Sequence, residues 1–163
     1  MHTVTVSRVI NAPFSAVWDA LDDFGRIHEF HPLVEASRIT NGVPRGVDAQ
    51  RECRFYNGAT IRETITRHRP NESYRIQIVD PGPFPLREAY ADVSAQDVGQ
   101  GRTRVTFETN FQPKFGPVGW LMAQLMMKPQ FRRALDGAIR GIETRLTTGE
   151  ITGPKGALLS PAS

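Results

Sequence analysis

One stripe of apolar residues constrains this chain more than any other feature. Between 115 and 146, Val118, Leu121, Met122, Leu125, Met126, Phe131, Leu135, Ile139, Ile142 and Leu146 recur at three- and four-residue steps, the spacing of a long amphipathic helix. Nearly everything between Leu33 and Phe111 reads instead as short strands separated by turns. A sheet that curls around one long helix leaves a gap wherever the helix side chains fall short of it. Such a gap is an apolar cavity of the kind that accepts small molecules.

The strand pattern begins at the N-terminus. Val4, Val6 and Ile10 share one parity, opposite Thr3, Thr5 and Ser7, as in a half-buried strand. Asn11-Ala12-Pro13 follows, with Asn11 suited to cap a helix and Pro13 to open its first turn. That helix runs through Phe14, Val17, Trp18 and Leu21 towards Gly25. A second short one, 26–30, must stop before Pro32, because the residue preceding proline avoids helical geometry. Further strands are expected at 34–40, 47–55, 60–68, 74–79, 86–95 and 104–111. They are separated by Asn41-Gly42, Asn57-Gly58, Pro70-Asn71 and Gly99-Gln100-Gly101. Pro81-Gly82-Pro83-Phe84-Pro85 is a stiff connection, and Pro129 should kink or restart the long helix. Runs of strands kept apart from helices indicate an α+β domain with an antiparallel sheet. The domain should span 1–148, and the aperiodic segment 149–163 is expected to be a disordered tail.

Composition narrows the function classes. The 163 residues suit one domain, and 20 basic against 17 acidic residues give a net charge of only +3. Without a lysine-rich run or an aromatic-basic repeat, nucleic-acid binding is not expected. The single cysteine, Cys53, excludes an intrachain disulfide. No charged-then-apolar leader and no apolar run of about 20 residues is present, so no transmembrane segment and a cytoplasmic location are expected. A monomer or homodimer fits. No cofactor fingerprint stands in the chain; Gly116-Pro117-Val118-Gly119 lacks the lysine and spacing of a phosphate loop.

The residues Asn11-Ala12-Pro13 with Val17-Trp18, His31-Pro32, Arg51 with Gly58, Ile61 and Glu63, Pro85-Leu86-Arg87 with Tyr90, and the run from Phe115-Gly116 to Met127-Lys128-Pro129 carry a resemblance. Over 4–146 the chain resembles the helix-grip START/SRPBCC superfamily, most closely its bacterial polyketide cyclase/dehydrase-like branch. The resemblance implies a curved seven-stranded antiparallel sheet wrapped around a long C-terminal helix, with two short helices after the first strand. It also implies a hydrophobic ligand such as a lipid, polyketide or terpenoid, bound or transported; the alternative is a cyclase or dehydratase acting on such a molecule. Arg87-Glu88-Ala89-Tyr90 is one residue longer than the family pattern, which suggests a bulge there.

Glu63 is the sharpest chemical candidate. It shares strand parity with Ile61 and Ile65, so an apolar face carries a carboxylate. In the preceding strand Arg51 shares parity with Val47, Ala49, Cys53 and Phe55. Both apolar faces coincide only if the hairpin loop between them has an odd number of residues; a three-residue loop with a bulge would do this. Arg51 and Glu63 then become cross-strand neighbours. The pair reads as a structural ion pair, as a polar anchor for a ligand oxygen, or, with Glu63 as base, as catalytic machinery. The expected cavity lining is Val47, Ala49, Cys53, Phe55, Ile61, Ile65, Tyr74, Ile76, Phe107, Met122 and Met126, with Arg51 and Glu63 as its polar element. Phe84 should lie near the entrance; the resemblance places His31 there too, as a third, weaker catalytic candidate. His28 and His31 stand three apart, but with no third ligand at a suitable spacing no metal site is expected.

Overall fold

The computed structural model describes residues 1–153 and 158–159. Seven strands occupy the period-2 segments: β1 His2–Ile10, β2 Val34–Ile39, β3 Gln50–Phe55, β4 Thr60–Arg69, β5 Ser73–Asp80, β6 Leu86–Gly99 and β7 Arg102–Pro113. They form one antiparallel sheet in the order β1-β7-β6-β5-β4-β3-β2. The first two strands in sequence thus lie at opposite edges. Helix α1, Phe14–Asp22, and a 3₁₀ helix, Phe24–Glu29, carry the chain from one edge to the other. Pro13, not Asn11, takes the N-cap position of α1, and no side chain caps it. The Asn11 backbone N–H instead donates to Glu143 Oε2 at 2.6 Å, tying the end of β1 to the last helix.

That last helix is continuous in direction but not uniform. It comprises α2, Gly116–Met122, a π-helical turn, Ala123–Met127, and α3, Lys128–Thr148. The expected break at Pro129 is absorbed by the π turn, in which the Lys128 N–H reaches back five residues to the Ala123 carbonyl. Proline has no N–H and its ring crowds the carbonyl four residues earlier. Widening the preceding turn accommodates both without ending the helix.

The core forms where α3 crosses the inner face of the sheet. Ala138, Ile139 and Ile142 are fully buried against Val93, Val105, Phe107, Ile76 and Tyr74, with Trp18 and Leu21 of α1 closing one end. Only the rear half of the apolar stripe meets the sheet in this way. The spacing predicts core positions for Val118, Leu121, Leu125 and Met126, yet each is more than half exposed. Within the π turn Ala123 is still fully buried against Val4, Leu86, Ala89 and Phe111 of the sheet, while Val118, Leu121, Leu125 and Met126 stay exposed.

Beyond Thr148, Ile151–Thr152 pairs antiparallel with Leu158–Leu159. The rest of the expected tail, 154–157 and 160–163, lies outside the described residues.

Candidate functional site

The β3–β4 hairpin builds the polar part of the site. The Gly58 N–H donates to the Phe55 carbonyl at 3.0 Å and the Phe55 N–H to the Ala59 carbonyl at 2.8 Å, which leaves Tyr56, Asn57 and Gly58 as a three-residue loop. Gly58 stands at φ +87°, the left-handed position that closes this bulged turn and that a residue without Cβ occupies at no steric cost. The odd loop puts the two apolar faces on one side, with Arg51 opposite Glu63 and Cys53 opposite Ile61.

Arg51 is 3% exposed and is held from three directions. Its Nε donates to Glu63 Oε2 at 2.6 Å and its Nη1 to the Phe24 carbonyl at 3.0 Å. The guanidinium lies 4.0 Å over the Phe24 ring. Burial works against the charge, but Glu63 together with Cys53 and Tyr74 offsets this and raises the Arg51 pKa above its ordinary value. Among the described residues Nη2 makes no hydrogen bond, and Arg51 borders the inner of two cavities.

Two adjoining cavities fill the gap between helix and sheet. The outer one, about 550 Å³, is lined among others by Phe84, Leu86, Met122, Met126, Met127 and Gln130. The inner one, about 170 Å³, is lined by Arg51, Glu63, His31, Tyr74, Ile76, Phe107 and Thr109 among others. Leu33, Phe55, Ile61, Ile78, Phe131 and Ala134 border both, so they form the neck between an apolar outer chamber and a deeper one with a polar end.

Most of the expected lining is present, divided between the chambers. Phe55, Ile61, Glu63, Arg51, Tyr74, Ile76, Phe107, Phe84, Met122 and Met126 all border one or both. Four residues do not. Val47 precedes β3, in a loop that keeps it 51% exposed. Ala49 and Ile65 are packed into the main core. Cys53 is buried beside Val34 and Ile61, with its Sγ 3.6 Å from Glu63 Oε2. Burial pushes the Cys53 thiol up to about 12, so it stays protonated and unreactive.

His31 lines the inner chamber. Its Nδ1 accepts the Leu33 backbone N–H at 3.2 Å, so the neutral ring carries its hydrogen on Nε2. Burial, with the positive Arg51 nearby, lowers its pKa to about 4. His28 turns away, its Nδ1 2.7 Å from Ser37 Oγ. The Tyr74 hydroxyl donates to the Leu21 carbonyl at 2.8 Å, and burial raises its pKa. The suspected bulge in β6 lies between Leu86 and Glu88, and it turns both Leu86 and Ala89 inward. Tyr90 then lies against Arg75, 4.4 Å from ring centre to guanidinium.

Ile78, Phe131 and Ala134 escaped the sequence reading of the lining. Ile78 continues the parity of Tyr74 and Ile76, and Ala134 stands three residues after Phe131 on the same helical face, so the periodicity held the signal.

The model of a family described as polyketide cyclase/dehydrase and lipid transport matches residues 1–147. No curated protein matches the chain by sequence. Among solved structures, the XoxI protein from Bacillus cereus is similar with a TM-score of 0.73 at 18% identity, over 91% of this chain and 97% of that one. TTHA0849 from Thermus thermophilus has the same TM-score at 16% identity, over 91% and 99%. A START superfamily protein from Mycobacterium smegmatis gives 0.71 at 14%, over 90% and 97%. At these identities the likeness is one of fold.

Proposed function

The chain belongs to the polyketide cyclase/dehydrase and lipid-transport family, and from that premise we propose that it binds or carries an amphiphilic hydrophobic molecule in the two joined chambers. The observation that supports this best is the gradient along the cavity, apolar outside and hydrogen-bonding at its inner end. Such a cavity fits a lipid, polyketide or terpenoid with an apolar body and one oxygenated end.

The inner end also suggests the kind of oxygen. Arg51 and Glu63 cancel in charge, and His31 is neutral at ordinary pH. Arg51 Nη2 and His31 Nε2–H are both donors. A carbonyl or hydroxyl oxygen satisfies them without bringing an uncompensated charge into a buried site. A cyclase or dehydratase reaction would need Glu63 or His31 to take up a proton. Glu63 already lends Oε2 to Arg51, and Nδ1 of His31 is occupied by the Leu33 N–H. These contacts favour holding an oxygen over moving a proton.

Native mass spectrometry of freshly purified protein tests the reading, followed by identification of any mass released on denaturation. A stoichiometric lipophile bearing a neutral oxygen is the expected result. If the protein comes away empty and takes up no lipophile from a mixed extract, the binding reading fails. Turnover of the released molecule that Glu63→Gln abolishes, at unchanged stability and affinity, would instead establish the enzyme.

A further inference from the structure

The front half of the long helix exposes apolar surface that the cavity does not account for. Phe115, Val118, Trp120, Leu121, Leu125 and Met126 are each between 52% and 69% exposed. Val118, Leu121 and Leu125 follow one another at steps of three and four, forming one stripe. Met122 and Met126 beside that stripe line the outer chamber, so the stripe runs onto the lip of the cavity. Leu33 and Tyr56, also exposed, stand on the same chamber.

The charge along this helix segment is one-sided. Residues 109–135 contain Lys114, Lys128, Arg132 and Arg133 and no acidic residue. Elsewhere the chain neutralises most of its cations: arginines 8, 26, 38, 45, 51, 54, 62, 67, 69, 75, 140 and 145 all form ion pairs. Among the described residues none of the four cations in 109–135 does so, nor do Arg87, Arg102 and Arg104. The Lys114 backbone N–H donates to the Pro85 carbonyl, which brings Lys114 and Arg87 to the same end of the molecule as the proline-rich loop.

Backbone strain adds an independent sign. Phe115 stands at φ +72°, a left-handed conformation that costs a bulky residue energy, yet its ring is 65% exposed. Among the described residues Phe115 belongs to no core cluster. Exposed aliphatic and aromatic side chains bordered by unneutralised cations match an anionic lipid surface, where the apolar face enters the acyl boundary and the cations meet headgroup phosphates.

The geometry points to α2 and the π turn as a docking face for anionic lipid bilayers, seating the mouth of the outer chamber against the membrane. A bound molecule could then pass between bilayer and cavity without crossing water. The docking holds whatever the cavity carries. Among the described residues no helix is long and apolar enough to span a membrane, so the contact is peripheral.

Trp120 reports on this directly, because the other tryptophan, Trp18, is buried. The full chain is mixed with vesicles of phosphatidylcholine alone or with added phosphatidylglycerol, and partitioning is read by co-sedimentation and tryptophan emission. Binding and a blue shift with the anionic vesicles are expected. Both should weaken as salt rises from about 0.1 M to about 1 M, over which the screening length falls from about 10 Å to about 3 Å. Leu121→Ser with Leu125→Ser, and separately Lys114→Glu with Arg132→Glu, should each cut partitioning about tenfold or more while thermal melts stay at the parent value. All four residues are exposed, so the variants keep the fold. Failure to bind anionic vesicles, equal binding to both kinds, or unaltered binding by the variants overturns the proposal. So does sedimentation equilibrium showing a dimer that Leu121→Ser with Leu125→Ser dissociates, since the stripe would then be a contact between copies.

Discussion

Arg51 and Glu63 show how a charge pair survives inside an apolar face. Removing one member of such a pair costs more than the pair contributes, because the other is left buried and uncompensated. Glu63→Leu should therefore lower unfolding free energy by about 3–5 kcal/mol, and adding Arg51→Met should recover much of that. Urea denaturation of the single and double variants checks this; a double variant as unstable as the single would mean that the pair has no such coupling. His31 gives a second prediction, in pH. Its folded pKa is about 4 against an ordinary 6.5, so the unfolded chain takes up a proton first as pH falls. The neutral folded ring costs nothing above pH 6.5, and stability drains away between 6.5 and about 4. The loss is on the order of 3 kcal/mol at its fullest. His31→Gln should flatten that part of the stability–pH curve relative to the parent, and parallel curves would show that His31 is not held neutral. The parity of Arg51 and Glu63 is legible in the sequence because a period of two is a local property. The neutrality of His31 is not, since it depends in part on where β3 brings Arg51.

At the scale of elements, strands and turns are legible because each carries its own signal. Asn57-Gly58 dictates an odd, bulged loop once both flanking faces have to be apolar, and the extra residue near Arg87 becomes the bulge between Leu86 and Glu88. The long helix is legible in extent but not in burial. Its stripe is continuous, whereas the sheet covers only part of it, and a sequence pattern carries no information about which positions its partner reaches. Nor does it show how closely the two approach. At Gly141 a Cβ would stand 2.0 Å from the Phe30 carbonyl oxygen and 2.9 Å from its carbon, so α3 rests directly on backbone. Alanine would favour the helix by about 1 kcal/mol through propensity. The steric conflict is with a carbonyl that cannot swing away, and overpacking of this kind costs about 1–3 kcal/mol or more. Gly141→Ala is expected to destabilise on balance, seen as a lower urea midpoint at unchanged slope; a stabilised variant would mean that α3 can lift off Phe30 freely.

For the whole molecule, the division into a packed rear and a hollow front ties stability to occupancy. Buried Ile139 and Ile142 fix the rear of the helix to the sheet, while chambers of about 550 and 170 Å³ remain between its front and the strands. Apolar walls around empty space forgo the dispersion contacts that a filled core would make. A molecule that fills them binds the folded state alone. At a hundredfold excess over its Kd, a ligand of that kind adds about 2.7 kcal/mol to unfolding free energy. For a chain of this length each kcal/mol moves Tm by about 2–4 °C, so a rise of about 5–10 °C is expected. Ala134 borders both chambers, and a larger side chain there would close the neck. Ala134→Phe should leave the unliganded Tm near the parent value, because the ring occupies space already empty, and should abolish most of the ligand-induced rise. Scanning calorimetry with the lipophile that mass spectrometry identifies makes the comparison. An equal rise in the parent and in Ala134→Phe would place the ligand outside the neck and the inner chamber. Loss of the rise in the variant alone would tie occupancy to the passage that leads to Arg51 and His31.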